Sequence, residues 1–225
     1  MGIIQLKHEH VAGSAKGSSV KTLKVNDLSA ATDWQNSELH HGRVLLNDGH
    51  IQNMPVAERF RLLRARIERR NLSGKDDRVI AVSSAVPAEG KSFTAVNLAR
   101  AFAADPTGKT LLVDCDLRKP SVDKYFGLGR VPGLTDALIS KVSIASFAFP
   151  VSRGLEVVTA GKPVEDPARF IEDPSFTEQL AALRNHYRYI ILDCPPILLC
   201  PEPVKLNSIA DSTLVCCVSI IILSA

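Results

Sequence analysis

The sequence predicts an α/β fold in which a parallel β-sheet is flanked by helices. From Pro55 onward, short apolar runs alternate with helical stretches. The apolar runs are continuous rather than alternating, as strands covered on both faces require. The first of them leads directly into a glycine-containing loop and a helix, and two later ones end on aspartate.

The elements follow in order. Pro55 suits a helix first turn, and Val56, Phe60, Leu63 and Ile67 then recur on one helical face. The other faces carry Arg59, Arg61, Arg64, Arg66, Arg69 and Arg70. The run NLSGKDD breaks this helix. RVIAVSS reads as a strand, KSFTAVNLARAFAA as a helix and TLLVD as a strand. Helical stretches follow at VDKYF and GLTDALIS, then a strand at LEVVTA and a helix at DPSFTEQLAALRNHY. RYIILD reads as a strand, EPVKLNSIA as a short helix and STLVCCVSIII as a last strand. Residues 1–54 have neither helical nor strand periodicity and read as a flexible N-terminal tail; residues 55–225 form the folded domain, with 55–70 as its arginine-rich helix.

Composition narrows the function. Lys plus Arg is 27 against 24 Asp plus Glu, a net +3 too small to argue for nucleic acid. Five cysteines, Cys115, Cys194, Cys200, Cys216 and Cys217, have no zinc-ligand spacing and read as reduced thiols of a cytosolic protein. The longest nearly apolar run, residues 213–225, is too short for a spanning helix of about 20 residues. The start MGIIQLKHEH has no long apolar signal region, and Leu6 breaks the myristoylation pattern. His8, His10, His40, His41 and His50 are scattered through the tail and do not suggest a metal site.

The strongest motif is SSAVPAEGKS, placed between the first strand and its helix. Strand, tight loop, GK[ST] and helix is the context of a Walker A loop. Backbone N–H groups of such a loop point at phosphate oxygens, and the helix dipole favours their charge. Pro87, Ala88, Glu89, Gly90, Lys91, Ser92 and Phe93 are therefore the candidate ATP-binding residues. Lys91 is expected to stand exposed to the ligand, and Ser92 to ligate Mg²⁺. Ala85 departs from the general pattern, which has Gly there. A second GKT at Gly108, Lys109 and Thr110 precedes a strand rather than a helix and reads as a turn. Asp114 and Asp116 stand at the end of the second strand and Asp193 at the end of the fourth. In a parallel sheet those ends converge on the ligand crevice, where carboxylates can hold a metal or accept a proton.

Together these motifs resemble those of the bacterial tyrosine kinases of polysaccharide export, the BY-kinases, from about Pro55 to Val218. Their Walker A loop is matched by Ser84, Pro87, Ala88, Glu89, Gly90, Lys91 and Ser92, and Ala85 is ordinary there. Asp114, Asp116 and Arg118 match their Walker A′ motif, and IILDCPP resembles their Walker B; FGL and PGLTDAL, between Phe126 and Leu138, also look like the family. The resemblance implies an ATP-dependent protein-tyrosine autokinase that regulates capsule or exopolysaccharide synthesis. It implies that Lys91 binds the phosphates, that Ser92 and Asp193 hold Mg²⁺, that Asp114 is the base for the tyrosine hydroxyl and that Asp116 supports the metal. It assigns Glu58, Arg61 and Arg64 to self-association in a ring. It implies a membrane-embedded chain-length or activator protein as partner, no nucleic acid, and a cytoplasmic place at the inner face of the plasma membrane.

Three departures qualify this reading. The chain has only Tyr125, Tyr187 and Tyr189, and lacks the tyrosine cluster that usually ends such kinases. After Val218 the likeness stops, which points to truncation or a changed reading frame, and the 225-residue form is expected to be only marginally stable and a poor autokinase. The activator segment of some relatives is also absent. Two alternatives stand. One is a partitioning-type ATPase, against which Val86 occupies the place of that group's signature lysine. The other is a non-catalytic nucleotide-binding component of an export assembly.

Overall fold

The structure is a computed structural model that describes residues 2–7, 22–23, 54–71 and 76–218. Along the chain come β1 (Gly2–Lys7), β2 (Thr22–Leu23), α1 (Met54–Asn71), β3 (Val79–Ser84), α2 (Lys91–Ala103), β4 (Thr110–Asp114), α3 (Val122–Phe126) and α4 (Leu134–Ser140). Then follow β5 (Phe149–Ser152), β6 (Leu155–Val158), α5 (Pro167–Glu172), α6 (Pro174–Leu183), β7 (Tyr189–Asp193), α7 (Glu202–Ile209) and β8 (Ser212–Val218).

The sheet runs in the order β2-β1-β8-β3-β7-β4-β6-β5. Its middle, β8-β3-β7-β4-β6, is parallel throughout. The continuous apolar runs are explained by burial on both sides. Val79 and Ala81 of β3, with Leu111, Val113, Ile190 and Leu192, face Leu134, Ile171, Phe176, Leu180 and Leu206. Ile80 and Val82, with Leu112, Ile191 and Leu214, face Leu63 and Ile67 of α1 and Val96, Leu98 and Phe102 of α2. Phe102 also stacks on Tyr189 with ring centroids 4.0 Å apart. The apolar stripe read in α1 thus packs as its spacing predicts.

The structure corrects the sequence reading at several places. The sheet is mixed: β5 pairs antiparallel with β6, and β1 pairs antiparallel with both β8 and β2. β5 is not apparent in the sequence because it is four residues long and contains Pro150, which only an edge strand tolerates. The expectation of a loose tail fails at Gly2–Lys7 and Thr22–Leu23, which form strands; residues 8–21 and 24–53 lie outside the described residues. α5 is a further helix that the sequence reading lacks, although Asp166 accepts from the Arg169 N–H and Pro167 fills its first turn. α6 stops at Leu183, short of Tyr187. The GKT at Gly108 is a turn, as expected, where a Cβ on Gly108 would meet Arg188 Cβ at 2.7 Å.

Candidate active site

Every candidate side chain sits at the carboxyl ends of β3, β4 and β7, or just beyond them. Beyond β3 the phosphate loop is pinned by its own residues. Ser84 Oγ donates to the Val86 carbonyl at 2.7 Å, and the Glu89 carboxylate accepts from the Val86 N–H at 2.9 Å. Ala88 and Gly90 both take left-handed backbone, with φ of 66° and 83°. Two such positions curl the chain into the start of α2, where Gly90 is the cap. The first N–H groups of α2 have no intrahelical partner and are available to an anion.

The loop after β7 is strapped to this one. Ser83 Oγ donates to the Pro195 carbonyl at 2.6 Å, and Ile197 N–H to the Ser84 carbonyl at 2.8 Å. Between them lies a cavity of about 240 Å³, whose polar walls are Lys91, Asp116, Arg118 and Lys119, with Ala88 and Cys200 beside them. Arg118 is held there by Glu202 of α7, whose Oε1 accepts from Nε at 2.8 Å. Glu202 is almost wholly buried. The sequence reading did not find it, since 84 residues separate the pair.

The three carboxylates come together as expected, but in different postures. Asp114 and Asp193 are register partners on adjacent strands, and both are fully buried. Asp114 Oδ1 accepts from the Asp116 N–H at 3.1 Å, and its Oδ2 accepts from the Ser121 and Val122 N–H groups at 3.0 Å each. It does not line the cavity, and it ties down the turn that carries Asp116. Asp116 is the carboxylate on the cavity wall. Asp193 is unlike either: neither oxygen has a partner at full hydrogen-bond geometry, and the Lys91 ammonium and Ser92 hydroxyl are the groups that approach it and oppose its burial.

Lys91 corrects the expectation of an exposed lysine: it is only 9% exposed. Its Nζ stands 2.7 Å from Asp116 Oδ2, 3.7 Å from Asp193 Oδ1 and 3.1 Å from Ser92 Oγ. Burial opposes its charge, but Asp193 and Asp116 outweigh burial and hold its pKa above the ordinary lysine value. Burial pushes the Asp193 carboxyl up to about 6, with Lys91 opposing. Burial and Asp193 raise Asp114 well above the usual carboxylate range.

Phe93 does not reach the cavity; its ring packs edge-on against Phe60 of α1, 6.0 Å between centroids. Tyr187 and Tyr189 are buried, and the Tyr187 hydroxyl donates to Glu156; Tyr125 is half-buried.

The donor set fits Mg²⁺. Asp193 is a buried carboxylate without a partner at full hydrogen-bond geometry, beside Asp116 and the Ser92 hydroxyl. Among the described residues no group of three or more His, Cys, Asp or Glu is arranged to hold a metal alone. Mg²⁺ does not need one, since it takes one or two carboxylates with substrate phosphates and keeps several waters. Among the described residues no helix is long and apolar enough to cross a membrane.

Comparison with known proteins follows the same lines. Residues 77–222 match the family model described as an AAA domain. The chain is 34% identical over 158 residues to the tyrosine-protein kinase YwqD of Bacillus subtilis, covering 70% of this chain and 66% of that one. It is 31% identical over 162 residues to the tyrosine-protein kinase CpsD of Streptococcus agalactiae, covering 71% and 69%. The crystal structure of the chimerical protein CapA2B2 superposes with a TM-score of 0.66 at 28% identity, covering 72% of this chain and 70% of that one. Other relatives are far longer: the chain spans 25% of the putative tyrosine-protein kinase EpsB of Ralstonia nicotianae.

Proposed function

We propose, from the premise that this chain belongs to the BY-kinase family of bacterial tyrosine kinases, that it transfers the γ-phosphoryl group of ATP to tyrosine and so regulates capsule or exopolysaccharide synthesis. The observation that carries the reading is the cluster of Asp114, Asp116 and Asp193 around Lys91 at the start of α2. A phosphate loop alone serves many ATPases; buried carboxylates beside it supply a proton acceptor and metal ligands.

The roles are as follows. Lys91 and the first amides of α2 bind the phosphates of ATP. Ser92, Asp116 and Asp193 would hold Mg²⁺, which when bound neutralises charge on the phosphates. Asp114 accepts the tyrosine proton: burial beside Asp193 raises its proton affinity, which suits a base. To reach a hydroxyl, an Asp114 oxygen must give up amides of the turn between Asp116 and Val122. Arg118, fixed by Glu202, adds positive charge to the cavity wall. Tyr187 and Tyr189 are buried and Tyr125 is half-buried, so none of the chain's own tyrosines stands fully exposed as an acceptor. Val86, 42% exposed, supplies no lysine of the partitioning type.

One of the similar structures is that of a chimerical protein, CapA2B2. By analogy, a membrane-embedded CapA-like activator is the proposed partner, and it places the chain at the inner face of the membrane. Glu58, Arg61 and Arg64 are the proposed self-association contact; Arg61 pairs with Glu58 at 3.2 Å on the exposed face. Titration with a fluorescent ATP analogue tests the site. Lys91→Met should bind it far more weakly than the wild type, and wild-type affinity in the folded variant overturns the assignment.

A further inference from the structure

Four polar groups meet where the metal would lie, and one of them is already a cation. The Lys91 ammonium lies 2.7 Å from Asp116, 3.7 Å from Asp193 and 3.1 Å from the Ser92 hydroxyl. These are the same three side chains to which the proposed function assigns the metal. Asp116 and Asp193 are 2% and 0% exposed, so the pair needs a counter-charge that solvent does not supply. Lys91 supplies it.

We propose that Lys91 is a resident cation that fills the divalent-metal position until a polyphosphate draws it out, so that metal and nucleotide enter only as a pair. The inference rests on the kinase reading of this site and deepens it. A divalent ion arriving alone must share two carboxylates with an ammonium a few ångströms away, or expel that ammonium. Expulsion leads into the cavity, whose other charged walls are Arg118 and Lys119. Arg118 is already paired with Glu202, and Lys119 is itself a cation. Nothing there receives a second ammonium. A triphosphate changes this, because it offers Lys91 an anionic partner inside the cavity and leaves Asp116 and Asp193 for the metal. The two ligands are then coupled through one side chain, and the coupling is reciprocal. The consequence is a site that does not load with Mg²⁺ without nucleotide.

The probe is Mn²⁺, with free ion counted by electron paramagnetic resonance, in the absence of nucleotide. Wild type should bind it weakly. Lys91→Met should bind it at least about tenfold more tightly, as removal of one unit charge close to the ion requires. Lys91→Arg keeps the charge and should behave as wild type. If the methionine variant does not fold, the wild-type chain decides alone. Acylation of Lys91 by an amine-reactive ester, followed by mass spectrometry, should be slow and should not change when Mn²⁺ is added. Wild type binding Mn²⁺ as tightly as Lys91→Met, or Mn²⁺ alone accelerating acylation of Lys91, overturns the inference while leaving the kinase reading intact. Absence of Mn²⁺ binding in every arm, including one with a non-hydrolysable ATP analogue in which no ion is bound beyond what the analogue alone takes up, overturns the metal site itself and the inference with it.

Discussion

Replacing Asp193 with asparagine should change the pH dependence of stability in a direction opposite to that of most carboxylates. The Asp193 carboxyl is fully buried, Lys91 and Ser92 offset that burial only in part, and it is raised from 3.8 to about 6. It therefore holds its proton through a pH range in which the unfolded chain has lost its own. The folded state gains from this fully below the unfolded value, and the gain disappears as pH climbs through the folded value. A difference of about two pH units, at about 1.4 kcal/mol each, sets a ceiling of about 3 kcal/mol. The Lys91 contact is already included in that raised value, so the realistic span is about 1–3 kcal/mol. Asp114 adds to it with the same sign, because Asp193 is among the groups that raise it. Groups remote from Asp193 titrate alike in both proteins and cancel in the difference. The assay is urea unfolding of wild type and Asp193→Asn at fixed ionic strength, without Mg²⁺ or nucleotide, from about pH 4 to about pH 8. The stability of the variant relative to wild type should rise with pH by that amount and level off above about pH 7. A flat difference, or one that falls with pH, refutes the claim that this carboxylate is kept at a cost to stability. With Mg-ATP the same variant should lose phosphotransfer by about 100-fold or more.

Three further outcomes follow from the same geometry. Asp114→Asn should lower the phosphotransfer rate by about 100-fold or more while changing nucleotide affinity less, because a base acts in the transition state; equal losses in rate and affinity make Asp114 a ground-state support for the Asp116 turn. Arg61→Glu should reduce oligomer size in light scattering without altering nucleotide binding, and it is the cleaner variant because Arg64 is also tied to the Ala101 carbonyl at 2.9 Å. Asp211→Ala should destabilise the fold by about 3 kcal/mol in urea unfolding yet leave nucleotide affinity unchanged, since Asp211 takes both Arg184 nitrogens and the Arg78 and Val79 N–H groups far from the cavity.

The parts of this molecule that were legible in sequence are those set by neighbours along the chain. The phosphate loop reads out because strand, loop and helix follow one another from Val79 to Ala103. Asp114 and Asp193 read out because each closes a continuous apolar run. What escaped was set by contacts between distant segments. Lys91 is turned inward by Asp116 and Asp193, which no local pattern around Lys91 reveals. Glu202 looks like an ordinary first-turn glutamate until α7 docks it under Arg118. Phe93 follows the motif but faces α1, because its position on α2 turns it from the cavity. The edge strand β5 was hidden by its length and proline, whereas α5 carried a readable sign: Asp166-Pro167 repeats in Asp173-Pro174 at the start of α6.

The measurement that tests the central claim most directly is phosphotyrosine formation on a glutamate–tyrosine copolymer, with purified chain, ATP and Mg²⁺. The account predicts phosphotyrosine with the wild type and none with Lys91→Met, and no stimulation by DNA. ATP hydrolysis that DNA or lipid accelerates, with no phosphotyrosine at any protein concentration, would contradict it.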